Sequence, residues 1–502
     1  MQFIVSATYK TDMIVGRMAE QKRLERVLAS QEAEFIAVYG RRRVGKTYLI
    51  RQFFQADLCF ELSGQLGGTL REHLTHFASA LATAKGEDQR GVIPKNWQEA
   101  FHQLTRFLDS LPKPKKGRKR VIFFDEVPWL ASRRSRFLMG LDHFWNSWAS
   151  RYPHIVLVIC GSSTSWMIEK VLRDRGGLHN RVTARLRLEP FDLSETEHYL
   201  QTRGLRYTQR QVLELYMIMG GVPHYLKELR PDISLTQNID KIAFTRNGLL
   251  RDEFDQLYAA LFDKPERHVM IIRTLAKKRT GMTRGELLMT LKETDGGRFT
   301  KILSELEESG FIMRASSFAH PKSRSIYYLA DEYSAFYLRW IAPTDSPKTG
   351  GTWQKKQSES NWKAWSGFAF GTICLKHVAM IKQALGIPGV HTEESSWRYH
   401  SNDPSEPGAQ IDLVIDRGDE CIHLCEIKFS DTPFVITKAY AENLRHKMET
   451  FRRRTGTKKS LFLTFITLHG VKKNDWSLEL VTHSIDGEPL FVAHPSRDES
   501  LI

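Results

Sequence analysis

The run Phe35-Ile36-Ala37-Val38-Tyr39-Gly40-Arg41-Arg42-Arg43-Val44-Gly45-Lys46-Thr47-Tyr48 decides how this chain is read. Its five leading apolar residues predict a buried strand, and the G-x-x-x-x-G-K-[ST] spacing predicts a phosphate loop opening a helix from Thr47 to about Phe54. Gly40 and Gly45 allow the backbone to curl until its N–H groups face a β-phosphate. Lys46 reaches the β and γ oxygens, and the Thr47 hydroxyl ligates Mg2+. The helix that follows aims the positive end of its dipole at the same phosphates. A nucleoside triphosphate is the expected ligand, with Gly40, Arg41, Arg42, Arg43, Val44, Gly45, Lys46, Thr47 and Tyr48 around it.

The chain is 502 residues long, which predicts about three domains. Hydrophobic residues make up 41% and charged residues 26%, enough for sizeable cores and too apolar for a disordered chain. No apolar run reaches the roughly 18 to 20 residues of a membrane span, and the N-terminus lacks a charged region followed by a long apolar one. A cytoplasmic protein without a membrane partner is expected. Lys and Arg number 73 against 58 Asp and Glu, a formal charge of +15 that favours polyanionic partners. The five cysteines form no paired CxxC motif and suit a reducing compartment. Cys421 and Cys425, with His423 between them, read as buried strand residues rather than metal ligands.

Val121-Ile122-Phe123-Phe124-Asp125-Glu126 ends an apolar run in two acids. Such a run suits a central parallel strand buried on both faces, and ligands sit at the C-terminal edge of such sheets. Asp125 is suited to hold Mg2+ and Glu126 to polarise the water that attacks the γ-phosphate, which favours hydrolysis over binding alone. The competing reading is a pair of carboxylates capping the next helix. A third strand is predicted over Ile155 to Cys160, ending in Gly161-Ser162-Ser163. Arg173 to Arg181 is dense in guanidinium groups, which stabilise transition-state charge or are simply solvated at a surface.

With the Gly-Arg turn of Val15-Gly16-Arg17 upstream and Gly220-Gly221-Val222-Pro223 downstream, these motifs resemble AAA-like and STAND-type P-loop ATPases. The resemblance implies a Walker B role for Asp125 and Glu126. It implies contact of Ser162 or Ser163 with the γ-phosphate or the attacking water, a simple helix cap being the alternative. It also implies an arginine completing the site, Arg181 first and Arg175 second, a segment around Arg17 near the adenine, and a hinge at Pro223 joining a helical lid to the base. Adenine is expected because no guanine-reading Asn-Lys-x-Asp motif is evident.

From Glu266 the pattern turns to short helices, Val269 to Ala276, Thr283 to Leu291 and Gly297 to Ser309, followed by two strands at Phe311 to Arg314 and Ile326 to Leu329. This resembles a winged helix-turn-helix whose recognition helix carries Arg298, Thr300 and Lys301. Glu305, Glu307 and Glu308 on the same helix repel phosphate, so a packing role stays open. Linker composition at 343–351 marks a boundary. Beyond it a helix is predicted from Trp365 to about Leu385, then strands containing Trp397, Asp412 and the triplet Glu426-Ile427-Lys428. Strand alternation sets Glu426 and Lys428 on one face beside Asp412. Two carboxylates suit Mg2+ and an amine can orient water, while the helix from Ala439 to Arg454 offers a basic wall. This resembles the PD-(D/E)XK nuclease core, except that Phe370-Gly371 stands where related proteins carry Phe-Glu. Glu393 and Glu394 are the candidate substitutes.

Over nearly its full length the chain resembles prokaryotic ATPases that join such a P-loop domain to a C-terminal nuclease-like domain of uncharacterised function. The implied fold is α/β, with a P-loop NTPase and lid over 12–235, a winged helix over 262–342 and a restriction-endonuclease-like domain over 350–502. The implied function is a Mg-dependent ATP-hydrolysing switch acting on that last domain. Its nucleic-acid partner would be DNA before RNA, and homo-oligomers are compatible. An ATP-dependent DNA endonuclease of a defence system, or a DNA-binding regulator using ATP structurally, remain open beside it.

Overall fold

The computed structural model describes residues 14–493, apart from 90, 133, 174–177, 179, 263, 279, 319–324, 345–350 and 402–406. These form two compact units. One holds the described residues up to Pro190 with Leu257–Pro265, the other Phe191–Gln256 with the described residues from Glu266 onward.

The first unit is built on a parallel sheet of β1 (Glu34–Tyr39), β2 (Leu58–Ser63), β3 (Arg120–Asp125), β4 (Ile155–Gly161) and β5 (Ala184–Arg187), in the order β2-β3-β4-β1-β5. Alternation along β1 sends Phe35 and Ala37 to one face, where they meet Phe60, Phe124 and the apolar sides of helices Leu70–Lys85, Trp97–Ser110 and Phe137–Ser147. Ile36 and Val38 go to the other face, under helices Met18–Ala29 and Lys46–Phe53. Because both faces are covered, β1, β3 and β4 read in the sequence as unbroken apolar runs.

The second unit starts with the segment read as a lid. Its helix Gln209–Met219 ends at Gly220, and Pro223 opens a short helix, Pro223–Leu226, while the Phe191 N–H donates to Gly221 O at 2.7 Å. Helices Glu266–Lys277, Arg284–Leu291 and Gly297–Glu308 follow, with β6 (Met282–Thr283), β7 (Ile312–Ser317) and β8 (Ile326–Leu329). After them come β9 (Thr392–Tyr399), β10 (Ala409–Arg417), β11 (Cys421–Lys428), β12 (Ser460–Thr467) and β13 (His483–Ile485).

All eight of these strands lie in one sheet, ordered β13-β12-β11-β10-β9-β7-β8-β6. The join is a short parallel pairing of β7 with β9, Ser316 opposite Ser395 and Ser317 opposite Ser396. The sheet therefore runs across the boundary expected at 343–351. Of that stretch 345–350 lies outside the described residues, but its flanks are packed: Asp240 accepts from the Gly351 and Trp353 N–H groups at 3.0 and 2.7 Å, and the Trp340 and Trp353 rings sit 5.9 Å apart.

The helix expected from Trp365 to Leu385 is two, Ser360–Lys376 and Val378–Ala384, bent by 77°. At the break, Nδ1 of buried His377 lies 2.8 Å from Ile373 O. Among the described residues no single helix is long and apolar enough to cross a membrane. The bent pair passes by length and composition, yet buries Phe370, Ile373, Met380 and Ile381 within the unit.

Candidate active site

The phosphate loop leaves the C-terminal end of β1 and turns into helix Lys46–Phe53. Gly40 has φ 143°, and a Cβ there would stand 2.0 Å from Leu188 O, so the loop closes against the end of β5 only because the side chain is absent. The Lys46 ammonium, 5% exposed, donates to Gly40 O and Arg41 O at 2.9 Å each. Arg17, from the Gly-Arg turn, donates to Val44 O at 3.1 Å and lies near Glu20 at 3.5 Å. The resemblance implied a segment around Arg17 near the adenine; the Val44 contact ties that segment to the phosphate loop.

β4 is inserted between β1 and β3, and the crevice outside the strand ends there is where parallel sheets bind ligands. The Thr47 hydroxyl donates to Asp125 Oδ2 at 2.7 Å across that crevice. These two oxygens suit Mg2+, which keeps several waters and takes the rest of its shell from substrate phosphates. Glu126 follows with φ 48°, its N–H on Asp125 Oδ1 at 2.9 Å. Its Oε2 accepts from the Ser162 N–H at 3.1 Å and the Ser162 hydroxyl at 2.8 Å. Ser162 thus orients the carboxylate expected to handle water. Sequence spacing carries no signal for that contact, since 36 residues separate the two.

Arg181 is not brought to this group. The Thr183 N–H donates to Phe35 O, so Arg181 stands before the start of β5, beside the entry of β1. The phosphate loop lies at the other end of β1, roughly 16 Å away at about 3.3 Å per residue. The resemblance that suggested Arg181 does not specify which end of the strand it occupies. Arg175 lies outside the described residues. Arg173 is the arginine of this stretch whose charge is felt by Tyr39, the last residue of β1: burial raises that phenol's pKa, against Arg187, Arg185 and Arg173. Tyr48 is 53% exposed on the first turn of the helix, and Pro223 belongs to the second unit.

In the second unit β10 and β11 do bring Asp412, Glu426 and Lys428 together. A bulge between Ile411 and Val414 re-aims Asp412, whose Oδ2 accepts from the Ile427 N–H at 3.1 Å. Buried Glu426 accepts from Lys447 Nζ at 2.5 Å on Oε1, and on Oε2 from the Tyr440 hydroxyl at 2.9 Å, with Lys428 Nζ at 3.2 Å. Lys447 belongs to the helix expected to offer a basic wall to nucleic acid, and its ammonium is instead seated on Glu426. Its signal was available, because Tyr440 and Lys447 are two turns apart on one helix and share a face. Arg445 in that wall pairs with Glu479 at 2.7 Å.

Burial raises the Asp412 pKa, and the Glu426 charge adds to it, against Lys428, the Ile427 N–H and Lys447. Burial works on Glu426 the same way, but there Lys428, Lys447 and Tyr440 outweigh it and its pKa is lowered. Glu393 and Glu394 do not substitute for the missing acid: they pair with Asp416 and Ile415 farther along β10, and Glu394 is held by Lys382 at 2.9 Å. Buried His423 stays neutral, with its pKa lowered to about 4 by burial, His483 and Arg417; its Nδ1 meets Thr464 Oγ1 at 2.9 Å. Among the described residues no three His, Cys, Asp or Glu side chains stand close enough to hold a metal ion. With both oxygens of Glu426 on ammonium groups, the donor set here does not fit a divalent ion.

Residues 14–229 match the family model of an ATPase domain predominantly from Archaea. An uncharacterised protein of Methanocaldococcus jannaschii is 25% identical over 423 residues, covering 84% of this chain and 88% of that protein. An uncharacterised ATP-binding protein of the same organism is 47% identical over 47 residues, 9% of this chain and 80% of that protein. Among solved structures, a Walker-type ATPase of Pyrococcus abyssi aligns at 18% identity over 66% of this chain and 97% of its own, with TM-score 0.46. The ORC2 protein of Aeropyrum pernix, in its ADPNP–ADP complexes, aligns at 17% identity over 69% and 96%, with TM-score 0.42. The chain carries a nucleotide-binding ATPase domain of archaeal type over residues 14–229.

Proposed function

We propose that this protein is a Mg-dependent, ATP-hydrolysing switch whose nucleotide state is passed to the second unit, which binds DNA. The observation that carries the reading is the constellation at the end of the parallel sheet: Thr47 on Asp125 at 2.7 Å, with Glu126 beside it and oriented by Ser162 at 2.8 Å. Lys46 has only to exchange two loop carbonyls for phosphate oxygens. Mg2+ held at Thr47 and Asp125 would neutralise charge on the phosphates. Glu126 would take the proton of the attacking water, with Ser162 holding the carboxylate in place.

In this reading the segment opening at Pro223 serves as the hinge. The helices from Glu266 to Glu308 with β6 to β8 serve as a winged helix, and β9 to β13 as a nuclease-like core. Because one sheet spans both, the recognition helix and the acidic pair would move as one piece. The formal charge of +15 supports a nucleic-acid partner; DNA before RNA, and the cytoplasm as the place of action, belong to the same proposal. Cleavage is disfavoured by the Glu426 ion pairs, so we infer that the nuclease-like core holds DNA without cutting it.

The test is nucleotide binding followed by phosphate release. Fluorescent ATP analogue should bind the wild-type chain with magnesium and fail to bind Lys46→Ala. Equal affinity in both chains would overturn the proposal.

A further inference from the structure

A cleft of about 450 Å3 opens in the second unit where helices Glu266–Lys277, Tyr337–Ile341 and Ser360–Lys376 come together. Its size is that of a small-ligand pocket. Arg273, Lys277 and Arg339 line it, and among the described residues no carboxylate does. The nearby acid Glu332 is held by Lys376 at 2.5 Å. Two of the three cations are pre-positioned by stacking, with Arg273 Cζ 5.5 Å from the Phe254 ring centre and Arg339 Cζ 5.4 Å from that of Trp340. Guanidinium groups held in this way lose less freedom when an anion arrives.

Phe368 sets the chemistry of the other half. It lines the same cleft and is 46% exposed, while neighbouring Trp365 is buried. An exposed ring gains by being covered, because apolar surface is then removed from water. An aromatic face beside fixed cations, with no carboxylate among the described lining residues, complements a planar base joined to a phosphate.

We propose that this cleft binds one nucleotide unit, its base against Phe368 and its phosphate among Arg273, Lys277 and Arg339. None of these residues belongs to the phosphate loop, so this is a second nucleotide site. A free nucleoside monophosphate and a nucleotide within single-stranded DNA offer the same chemistry.

Both sources are tested on the full chain carrying Lys46→Ala, which silences the phosphate loop, or on wild type saturated with a non-hydrolysable ATP analogue. Labelled oligo-dT is followed by anisotropy, and AMP and dTMP by calorimetry. The expected result is binding that weakens about 5- to 150-fold in Phe368→Ala and is kept in Phe368→Trp. Arg339→Ala should also reduce the salt dependence of oligonucleotide binding, by about 0.7 in the log-log slope for a lost phosphate contact. Displacement of the oligonucleotide by a monophosphate assigns the site to free nucleotide, and oligonucleotide binding alone assigns it to single strands. No binding of either probe, or binding indifferent to Phe368→Ala and Arg339→Ala, would overturn the proposal.

Discussion

The two acidic sites use the same residue types, a pair of carboxylates and lysine, and differ in what those charges already touch. At the phosphate loop, Asp125 and Glu126 hydrogen-bond to the neutral groups of Thr47 and Ser162, and Lys46 rests on carbonyl oxygens. An incoming metal phosphate exchanges those contacts for stronger charge-assisted ones. On β10 and β11, Glu426 already has an ammonium on each oxygen. A metal or phosphate entering there must first break buried ion pairs, at a cost of several kcal/mol. Acidic residues at the right spacing therefore make a site only when their charge is still available.

The largest effect expected is at Glu126. Gln at that position keeps the shape and still accepts from Ser162 but takes no proton, so single-turnover phosphate release should fall about 10²- to 10⁴-fold with ATP affinity nearly unchanged. A rate within about threefold of wild type would remove Glu126 from the chemistry and break the contrast between the sites. Next comes Glu426→Ala, which strands Lys447 and Lys428 beside a buried vacancy and should cost about 3–5 kcal/mol in urea unfolding. The pair Glu426→Leu with Lys447→Met should recover part of that loss. If Glu426→Ala costs under about 1 kcal/mol, the lysines are solvated and the site is open after all.

The pH dependence sharpens the same point. Burial and Glu426 raise the Asp412 pKa, so its contribution to stability is present below its unfolded value and is lost as pH rises through its folded one. Glu426 is lowered and acts in the opposite sense, its contribution lost as pH falls through its folded value. Asp412→Asn removes the first effect and keeps an oxygen for the Ile427 N–H. The variant should therefore gain on wild type in urea unfolding as pH rises above the ordinary carboxylate pKa. A pH-independent difference would show that the Asp412 pKa is the same in the folded and unfolded chains.

What the sequence made legible was local. The phosphate loop, the apolar runs of β1, β3 and β4, and the helix-strand order from Glu266 to Leu329 all carry their signal within a few residues. β2 escaped because Cys59, Glu61 and Ser63 interrupt its apolar pattern toward the edge of the sheet. The contacts that decide chemistry were hidden for another reason: Ser162 meets Glu126 and Lys447 meets Glu426 only after strands and helices are assembled. Arg181 came from a family resemblance, which does not say at which end of β5 the residue stands. The β7 and β9 pairing joins two segments whose linker composition argued for separation.

Gly371 offers the smallest and most discriminating change. A Cβ built there meets nothing within 4 Å, in the interior of helix Ser360–Lys376, so Gly371→Ala should stabilise by about 0.5–1 kcal/mol. The same space admits a longer side chain. Cys374, three residues on and hence on the same helix face, has its thiol pKa raised by burial first and then by the negative charge of Asp412. A carboxylate at 371 would thus stand on the face that feels Asp412. If a missing acid is what keeps metal from this core, Gly371→Glu should gain Mn2+ affinity in calorimetry where wild type and Gly371→Gln have none. If Gly371→Glu binds no Mn2+ but Gly371→Glu combined with Lys447→Met does, the obstacle is the ammonium already seated on Glu426. The comparison then rests on occupied charge rather than on the number of acids.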